Sequence, residues 1–272
     1  MGDAVRISRA ALHFWEEPCI SGKNGSGTVF FCGCNLKCVF CQNAEISRNN
    51  LSGAEVTTER LGEIFLELQE KGAHNINLVT PTHYIKEIRE ALLSVKDRLL
   101  IPVVYNCGGY ELPESLSLLE GLVDIYLTDM KYMDSLIGKE YSNAPDYFEV
   151  SKKALDYMLS NVGNPQFSKD GLMTKGVIVR HLVLPSHRKD SINLINFLKE
   201  EYGTDKFILS LMSQYTPYEK HENFPELNRR ITTFEYNSVV NAAYDAGFSN
   251  AYVQEKSSAK EEYTPPFDLT GI

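Results

Sequence analysis

The residues with the clearest chemical potential are three cysteines near the N-terminus. Cys34, Cys38 and Cys41 are separated by three and then two residues. Thiolates at this spacing can bind one small metal cluster from a single loop. A [4Fe–4S] cluster normally takes four thiolates, so three of them leave one iron without a protein ligand. An open coordination position is typical of metal sites that carry out chemistry rather than only hold a fold.

A closed metal site is the alternative interpretation of the same segment. Cys32 lies two residues before Cys34, so four cysteines fall within residues 32–41. Four thiolates can hold a structural zinc ion or form a ferredoxin-like electron carrier. Zinc sites usually draw paired cysteines from two loops. Cys32 also lies in an apolar, strand-like run, where a cysteine is more often a small buried hydrophobe.

The supply of further thiols limits the chain to one cluster. After Cys41 the only cysteine is Cys107, so no second cluster can be built from the later part of the sequence. We expect Cys107 and the early Cys19 to be buried or loop thiols. The cysteines do not have the arrangement of a disulfide framework, because most of them fall in one tight segment.

At the three-cysteine motif the chain resembles the radical S-adenosylmethionine (SAM) superfamily. The wider stretch 17–43 is similar to relatives of pyruvate formate-lyase activating enzyme. This resemblance implies one [4Fe–4S] cluster whose open iron is chelated by the amine and carboxylate of SAM. It also implies reductive cleavage of SAM to a 5′-deoxyadenosyl radical that abstracts hydrogen from a substrate. The hard chemistry then belongs to the cofactors, and the protein supplies ligation, orientation and exclusion of water.

The same resemblance implies two partners: an electron donor such as flavodoxin or ferredoxin, and a glycyl-radical enzyme whose glycine is the substrate. A small-molecule or peptide substrate is the second hypothesis, and a non-catalytic zinc- or iron–sulfur-binding module is the third. We expect a macromolecular substrate ahead of a small one. Most of the chain after the motif is needed for the fold, which leaves little for an elaborate lid.

Apolar runs and helical patterns alternate along the chain. Strands are predicted at 28–31, 75–79, 101–105, 123–127, 177–184 and 206–211, and helices at 58–66, 84–95, 112–119, 147–159, 190–200 and 234–246, the first capped by Thr57 or Thr58. Six β–α units predict a parallel sheet with right-handed crossovers. The pattern leaves an open sheet and a partial barrel as alternatives, and the resemblance favours an α/β six-unit partial (β/α) barrel.

We predict a single domain over 1–272, with a core at about 26–256. Residues 1–25 form an N-terminal arm, and residues 257–272 form a tail that wraps the surface or closes one end.

In such folds ligands bind at the carboxyl ends of the strands. The candidate cofactor-binding residues are therefore Phe40, Thr80, Thr82, Asn106, Asp129, Lys131 and Arg180. In the family the residue before the third cysteine lies against the adenine, and Phe40 occupies that position. An Asp-x-Lys at the place of Asp129 and Lys131 is associated with the SAM pocket in the activating-enzyme branch.

Several of these candidates also have ordinary structural interpretations. Thr82 precedes a helix and can be its N-cap. Asp129 and Lys131 can form a simple ion pair. Arg180, inside an apolar strand, needs a buried anion as partner, which can be the SAM carboxylate, Asp129 or a glutamate. The strand-end histidines, which are His83, His181 and His187, are candidates for acid–base roles or for structural ones.

The composition is that of an ordinary globular protein. Hydrophobic residues make up 43% and charged residues 23%, with a formal net charge of -9 and a pI of about 5.3. This charge disfavours nucleic-acid binding. The sequence offers no signal-peptide pattern at its N-terminus and no apolar run of membrane-spanning length. We therefore expect a cytoplasmic protein that contacts neither nucleic acid nor membrane.

Overall fold

The computed structural model describes residues 5–48, 53–254 and 264–272. Its strands in chain order are β1 (Val5–His13), β2 (Ser26–Phe31), β3 (Ala54–Val56), β4 (Ile76–Val79), β5 (Val103–Cys107), β6 (Ile125–Asp129), β7 (Gln166–Phe167), β8 (Met173–Leu182), β9 (Ile208–Met212) and β10 (Tyr252–Val253). Its α-helices are α1 (Pro18–Ser21), α2 (Ala44–Ser47), α3 (Thr58–Glu70), α4 (Ile85–Val95), α5 (Pro113–Leu116), α6 (Ser135–Ser142), α7 (Tyr147–Val162), α8 (Arg188–Tyr202) and α9 (Thr233–Asp245).

Most of these strands form one mixed sheet in the order β10-β9-β8-β6-β5-β4-β2-β1-β3, with β7 paired to β8 outside this path. From β2 to β9 the neighbours are parallel, whereas β1 pairs antiparallel with both β2 and β3. Over the described residues the sheet does not close, because β10 and β3 are its two edges. The predicted α/β fold with six β–α units is confirmed, and the barrel is partial.

The helices pack on the sheet through apolar faces that the sequence pattern indicates. In α3 the buried residues Leu61, Ile64, Phe65 and Leu68 recur every three or four positions, which places them on one side of the helix. The helix begins as predicted, because the Thr57 hydroxyl accepts a hydrogen bond from Arg60 N. The central parallel strands β4 and β5 are buried along their whole length, as expected for strands covered on both faces.

The N-terminal segment belongs to the sheet. The predicted arm 1–25 contains β1, which pairs with β2 and β3, so the sheet begins well before residue 26. The strand escaped prediction because the arginines Arg6 and Arg9 interrupt its apolar pattern. Both are paired at the edge of the sheet, Arg6 with Glu55 and Arg9 with Asp268.

The end of the predicted tail lies against β1. Leu269 N donates to Ser8 O at 3.0 Å, and Ala10 N donates to Thr270 O at 2.8 Å. Residues 257–263 of the tail fall outside the described residues. No described helix has the length and hydropathy to cross a membrane. The organisation as a single domain stays a prediction.

Helix α6 was not predicted, although its boundary has a clear signal. Asp134 caps it by accepting a hydrogen bond from Leu136 N at 2.8 Å, and Asn143 ends it in the left-handed conformation. Both residue types are common at these positions. The helix matters for the site because its last residues contact the cysteine loop.

Candidate active site

The three cysteines lie in the loop that joins β2 to α2, and neighbouring backbone holds this loop in place. Lys37 N donates to Ser142 O at 3.1 Å, and Val39 N donates to Tyr141 O at 2.8 Å. From the other side, Arg48 Nη2 donates to the carbonyls of Cys38 and Val39 at 3.1 and 3.0 Å. The loop is thus fixed to α6 and to the end of α2 at both of its faces.

The donor set in this loop fits a metal cluster. Burial raises the pKa of Cys34 to about 12 and also raises the pKa of Cys38, while the nearby Lys131 ammonium opposes the shift. The charges of Cys38 and Cys41 contribute to the raised pKa of Cys34, and the charge of Cys41 contributes to that of Cys38. Thiolates in such a place need cationic partners, and the irons of a [4Fe–4S] cluster supply them.

The arrangement differs from a site for a single ion. In the described ranges, no three His, Cys, Asp or Glu side chains converge as ligands of one metal ion. A cluster requires less convergence, because each thiolate binds a different iron. The three cysteines share one loop, which is the arrangement that a cluster with an open iron uses.

Cys32 points to a different part of the molecule. Its side chain is fully buried and packs with Phe30, Ile46 and Val79. The Ser8 hydroxyl and the Arg6 charge act on its thiol. A four-thiolate zinc site would require Cys32 to leave this packing. The set of three ligands, Cys34, Cys38 and Cys41, stays a prediction, and Cys32 lies in a separate apolar cluster.

A cavity of about 220 Å³ lies at the carboxyl ends of the parallel strands, beside the loop. Its lining includes five of the predicted cofactor-binding residues, which are Phe40, Asn106, Asp129, Lys131 and Arg180. Cys38 and Cys41 also line it. Residues from the cysteine loop, β5, β6 and β8 are thus brought to one place, as the rule for parallel strand ends anticipates.

The charged residues of the cavity form a buried network. Arg180 Nε donates to Asp129 Oδ1 at 2.9 Å, and Lys131 Nζ donates to Asp129 Oδ2 at 2.5 Å. Arg180 also donates to Glu16 Oε2 at 3.3 Å and to Asn106 Oδ1 at 2.6 Å. Burial alone would raise the pKa of Asp129, but the two cations outweigh it and hold that pKa below its usual range.

This network settles the partner of Arg180. Its buried charge is neutralised by Asp129 and Glu16, which are protein carboxylates. Asp129 is further fixed through its backbone. The Tyr147 hydroxyl bonds the Asp129 carbonyl at 3.0 Å, and a side chain at Gly109 would lie 2.0 Å from the same carbonyl oxygen. Gly109 has a φ of 82°, so glycine is required there on both counts.

Thr80 and Thr82 do not line the cavity. Thr82 Oγ1 donates to Glu111 Oε1 at 2.7 Å. The Thr82 side chain makes no N-cap hydrogen bond to the helix that follows it. Thr80 has a φ of 57°, a conformation that glycine adopts readily and a β-branched residue rarely does. The sequence therefore lacks the expected glycine after β4 while its backbone keeps a left-handed turn. Thr80 N donates to Asn106 O at 2.9 Å.

Sequence reasoning missed Glu16, whose carboxylate accepts three hydrogen bonds in this network. Its Oε1 accepts from Asn77 Nδ2 at 3.0 Å and from Asn106 Nδ2 at 3.3 Å, while Oε2 accepts from Arg180. The available signal was two adjacent acids, Glu16 and Glu17, just before the proline that begins α1. His13, Trp15 and Gln214 also line the cavity and were not predicted.

The predicted histidines lie outside the lining of this cavity. His181 is buried, and its Nδ1 is 2.7 Å from Met130 O. His187 Nε2 is 2.7 Å from the Tyr141 hydroxyl, and His83 packs edge-on against Tyr84. Cys19 and Cys107 are buried thiols. His13 is the histidine that does line the cavity, and burial lowers its pKa to about 4, so it is neutral at pH 7.

A hydroxyl pair behind the loop is positioned to stabilise a thiolate. Ser142 Oγ is 2.9 Å from Cys38 Sγ, and Tyr132 OH is 2.9 Å from Ser142 Oγ. When Cys38 is a thiolate, Ser142 must donate to it, and Tyr132 then donates to Ser142. Hydrogen bonds to cluster sulfurs make the reduced, more negative state easier to reach.

We therefore expect Ser142→Ala to lower the reduction potential of the reconstituted cluster, measured by a potentiometric titration followed by electron paramagnetic resonance. Tyr132→Phe is the matched control and should produce a smaller shift in the same direction. Ser160→Ala removes an exposed hydroxyl that bonds only its own helix and should leave the potential unchanged. A Ser142→Ala potential equal to that of the wild type would contradict the assigned hydrogen bond.

Comparison with known structures identifies the fold. The structure is similar to Streptococcus suis SuiB bound to S-adenosylmethionine, with a TM-score of 0.53 and 14% identity over 82% of this chain and 48% of that one. It is also similar to the methylornithine synthase PylB and to HydG, a maturase of the [FeFe]-hydrogenase. Their TM-scores are 0.52 and 0.54, each at 14% identity over 81% of this chain and over 68% and 48% of theirs.

Comparison of the sequence gives a relative of higher identity. The uncharacterised protein MJ0674 of Methanocaldococcus jannaschii is 33% identical over 241 residues, which is 85% of this chain and 65% of that protein. The family profile described as the Radical SAM superfamily matches residues 28–177, more than half of the chain. This region runs from β2 and the cysteine loop to β8, and the chain belongs to the radical SAM superfamily.

Proposed function

We propose that this chain is an enzyme that binds one [4Fe–4S] cluster through Cys34, Cys38 and Cys41 and binds SAM in the adjoining cavity. The observation that carries the proposal is the composition of that cavity. Two of the loop cysteines, an aromatic side chain and a buried charged network line the same space of about 220 Å³ at the strand ends. When bound, the two cofactors supply one-electron cleavage of the sulfonium and a 5′-deoxyadenosyl radical for hydrogen abstraction.

The chain's own residues bind and orient. Phe40 is held by edge-to-face contacts with Tyr141 and Tyr215, whose ring centroids are 6.3 and 6.1 Å away. A ring fixed in this way offers a stacking or edge contact to the adenine. The Lys131 ammonium lies between Asp129 and the cysteine loop, where it can meet a ligand carboxylate.

Arg180 has a different proposed role from the one the sequence indicated. Its guanidinium is occupied by Asp129, Glu16 and Asn106. We assign it to positioning, because it sets the orientation of the groups that face the ligand. Asn106 acts in the same network, since its amide oxygen accepts from Arg180 and its amide nitrogen donates to Glu16.

The test is made on the anaerobically reconstituted and reduced protein. Adding SAM should change the electron paramagnetic resonance spectrum of the cluster, and chemical reduction in the presence of SAM should release 5′-deoxyadenosine. Phe40→Ala should weaken SAM binding by roughly tenfold, since a base–aromatic stack is worth about 1–3 kcal/mol. Phe234→Ala, a control at an exposed phenylalanine on α9, should bind SAM normally. An unchanged spectrum at saturating SAM would overturn the proposal.

A protein substrate is favoured by the rim of the site. Phe14 and Trp15 are about half exposed. Trp15 lines the cavity, and both residues line a second cavity that adjoins it. Half-exposed aromatic side chains are typical contacts in protein interfaces. Activation of a glycyl-radical enzyme is the specific form of this proposal. A glycyl radical in a candidate partner, after anaerobic incubation with reduced enzyme and SAM, supports it. Turnover of a free metabolite without any partner would contradict it.

A further inference from the structure

A second cavity of about 300 Å³ lies next to the first. The two share part of their walls, including Trp15, Glu16 and Arg180. The second cavity is completed by residues of β9, β10 and the start of α1, among them Ser210, Tyr252 and Glu17. A molecule anchored in the second cavity therefore reaches the first across a common wall.

Glu17 has an unusual environment in this second cavity. Its side chain is only 8% exposed, and Oε2 is buried without a hydrogen-bond partner among the described residues. Burial raises its pKa, and the charge of Arg180 and the hydroxyl of Ser210 oppose that shift. A buried carboxylate oxygen left without a donor costs about 1–3 kcal/mol or more. Native structures rarely keep such a group unless a ligand or a water completes it.

Glu17 differs from the other acids around the two cavities in its charge pairing. Asp129 and Glu16 are paired with Lys131 and Arg180, so that set is neutral. The neutral His13 adds no charge. These ion pairs do not include Glu17, although the Arg180 charge acts on it from a distance. A cationic ligand would keep Glu17 in its carboxylate form against the effect of burial.

The aromatic walls suit the same kind of ligand. Trp15 and Tyr252 both line the second cavity. Aromatic faces attract ammonium and guanidinium groups and add to the effect of a buried carboxylate. A neutral donor would gain only a hydrogen bond from Glu17, a cation would gain a charge-assisted one, and an anion would be repelled.

We propose that the second cavity binds a positively charged organic group of the substrate, a primary ammonium or guanidinium of the kind carried by lysine or arginine, with the Glu17 carboxylate as its partner. The inference rests on the proposed function, because the hydrogen to be abstracted belongs to the same substrate. The cation anchors one end of the substrate, and the reacting carbon extends into the first cavity.

The test uses Trp15, which is the only tryptophan of the chain. Its fluorescence is recorded while the reconstituted full chain, loaded with SAM, is titrated with Nα-acetyl-lysine amide. Nα-acetyl-norleucine amide is the matched neutral probe, since it keeps the alkyl chain and lacks the charge. We expect the lysine probe to bind at least about tenfold tighter than the norleucine probe, as a charge-assisted hydrogen bond implies.

Variants then assign the effect to Glu17. Glu17→Gln keeps the shape and removes the charge, and it should abolish the preference for lysine. Glu63→Gln alters an exposed acid on α3 and should keep the full preference. Equal binding of the two probes to the wild type overturns the proposal and requires no variant to fold. A preference that survives Glu17→Gln overturns it as well.

The source of the cation is identified by a further arm. A ten-residue peptide with one central lysine is compared with the free lysine amide. Tighter binding of the peptide assigns the cation to a polypeptide, and equal binding assigns it to a small amine. Failure of the inference is distinguishable from failure of the proposed function. A chain that releases 5′-deoxyadenosine but shows no preference for the lysine probe retains the function and loses only the cation site.

Discussion

Replacing any one of Cys34, Cys38 and Cys41 by alanine is expected to abolish the cluster. Each thiolate would bind a different iron of the cluster, and a cluster with only two protein ligands has lost half of its normal thiolate set. The wild type should take up about four irons and four sulfides per chain on anaerobic reconstitution. Each variant should retain a small fraction of that amount and should lose the visible absorption of the cluster.

Cys32→Ala is the matched control, since it removes a thiol two residues from Cys34 in the same segment. Cys32 packs in a separate apolar cluster, so this variant should keep its full iron and sulfide content. Loss of the cluster in Cys32→Ala would mean that the ligand set is misassigned. Stoichiometric zinc without sulfide in the wild type would remove the basis for the proposed enzyme.

The features that sequence predicted well depend on local pattern. The apolar spacing of α3 and its Thr57 cap lie within one short segment, and so do the buried runs of β4 and β5. The order of strands and helices then determines that Asn106, Asp129 and Arg180 reach the same edge of the sheet. These residues line one cavity because the carboxyl ends of parallel strands converge.

The features that sequence missed depend on contacts between distant segments. Glu16 bonds Arg180 across 164 positions of sequence, and no local pattern pairs them. The apolar pattern of strand β1 is interrupted by Arg6 and Arg9, and the partner of Arg9, Asp268, lies near the other end of the chain. Thr80 directly follows a predicted strand, but it has a left-handed φ and is not among the residues that line the cavity. The position of a residue at a strand end therefore predicts that it lies near the site, but it does not predict whether its side chain lines the cavity.

The hydrogen bonds of Arg180 explain why its proposed role differs from the one that the sequence indicated. Sequence alone indicated that Arg180 needs an anion, and three candidates met that need. Glu16 and Asp129 both bond its guanidinium. Arg180 therefore stabilises the charged site even before a ligand binds, and its removal should affect the fold as well as the activity.

Arg180→Met is expected to lower the free energy of unfolding by about 3–5 kcal/mol, because it leaves the carboxylates of Asp129 and Glu16 buried with a single cation. The free energy of unfolding is measured by anaerobic urea titration of wild-type and variant protein with the same iron content. Arg60→Met is the control. It removes an arginine that pairs with Glu63 and Glu67 on the surface of α3, and surface pairs are worth about 1 kcal/mol or less.

The pH dependence distinguishes lost charge pairing from lost packing. In the wild type, Lys131 and Arg180 hold the pKa of Asp129 low against the effect of burial. Without Arg180 the folded-state pKa of Asp129 rises above its unfolded value of about 4. The pKa of Glu16, which burial already raises in the wild type against the Arg180 charge, rises further. A group whose pKa is raised on folding binds protons in the folded state, so its contribution to stability falls as pH rises. The deficit of Arg180→Met should therefore be larger at pH 8 than at pH 5. An equal deficit at both pH values would show that Arg180 acts through packing and that the buried network carries little electrostatic energy.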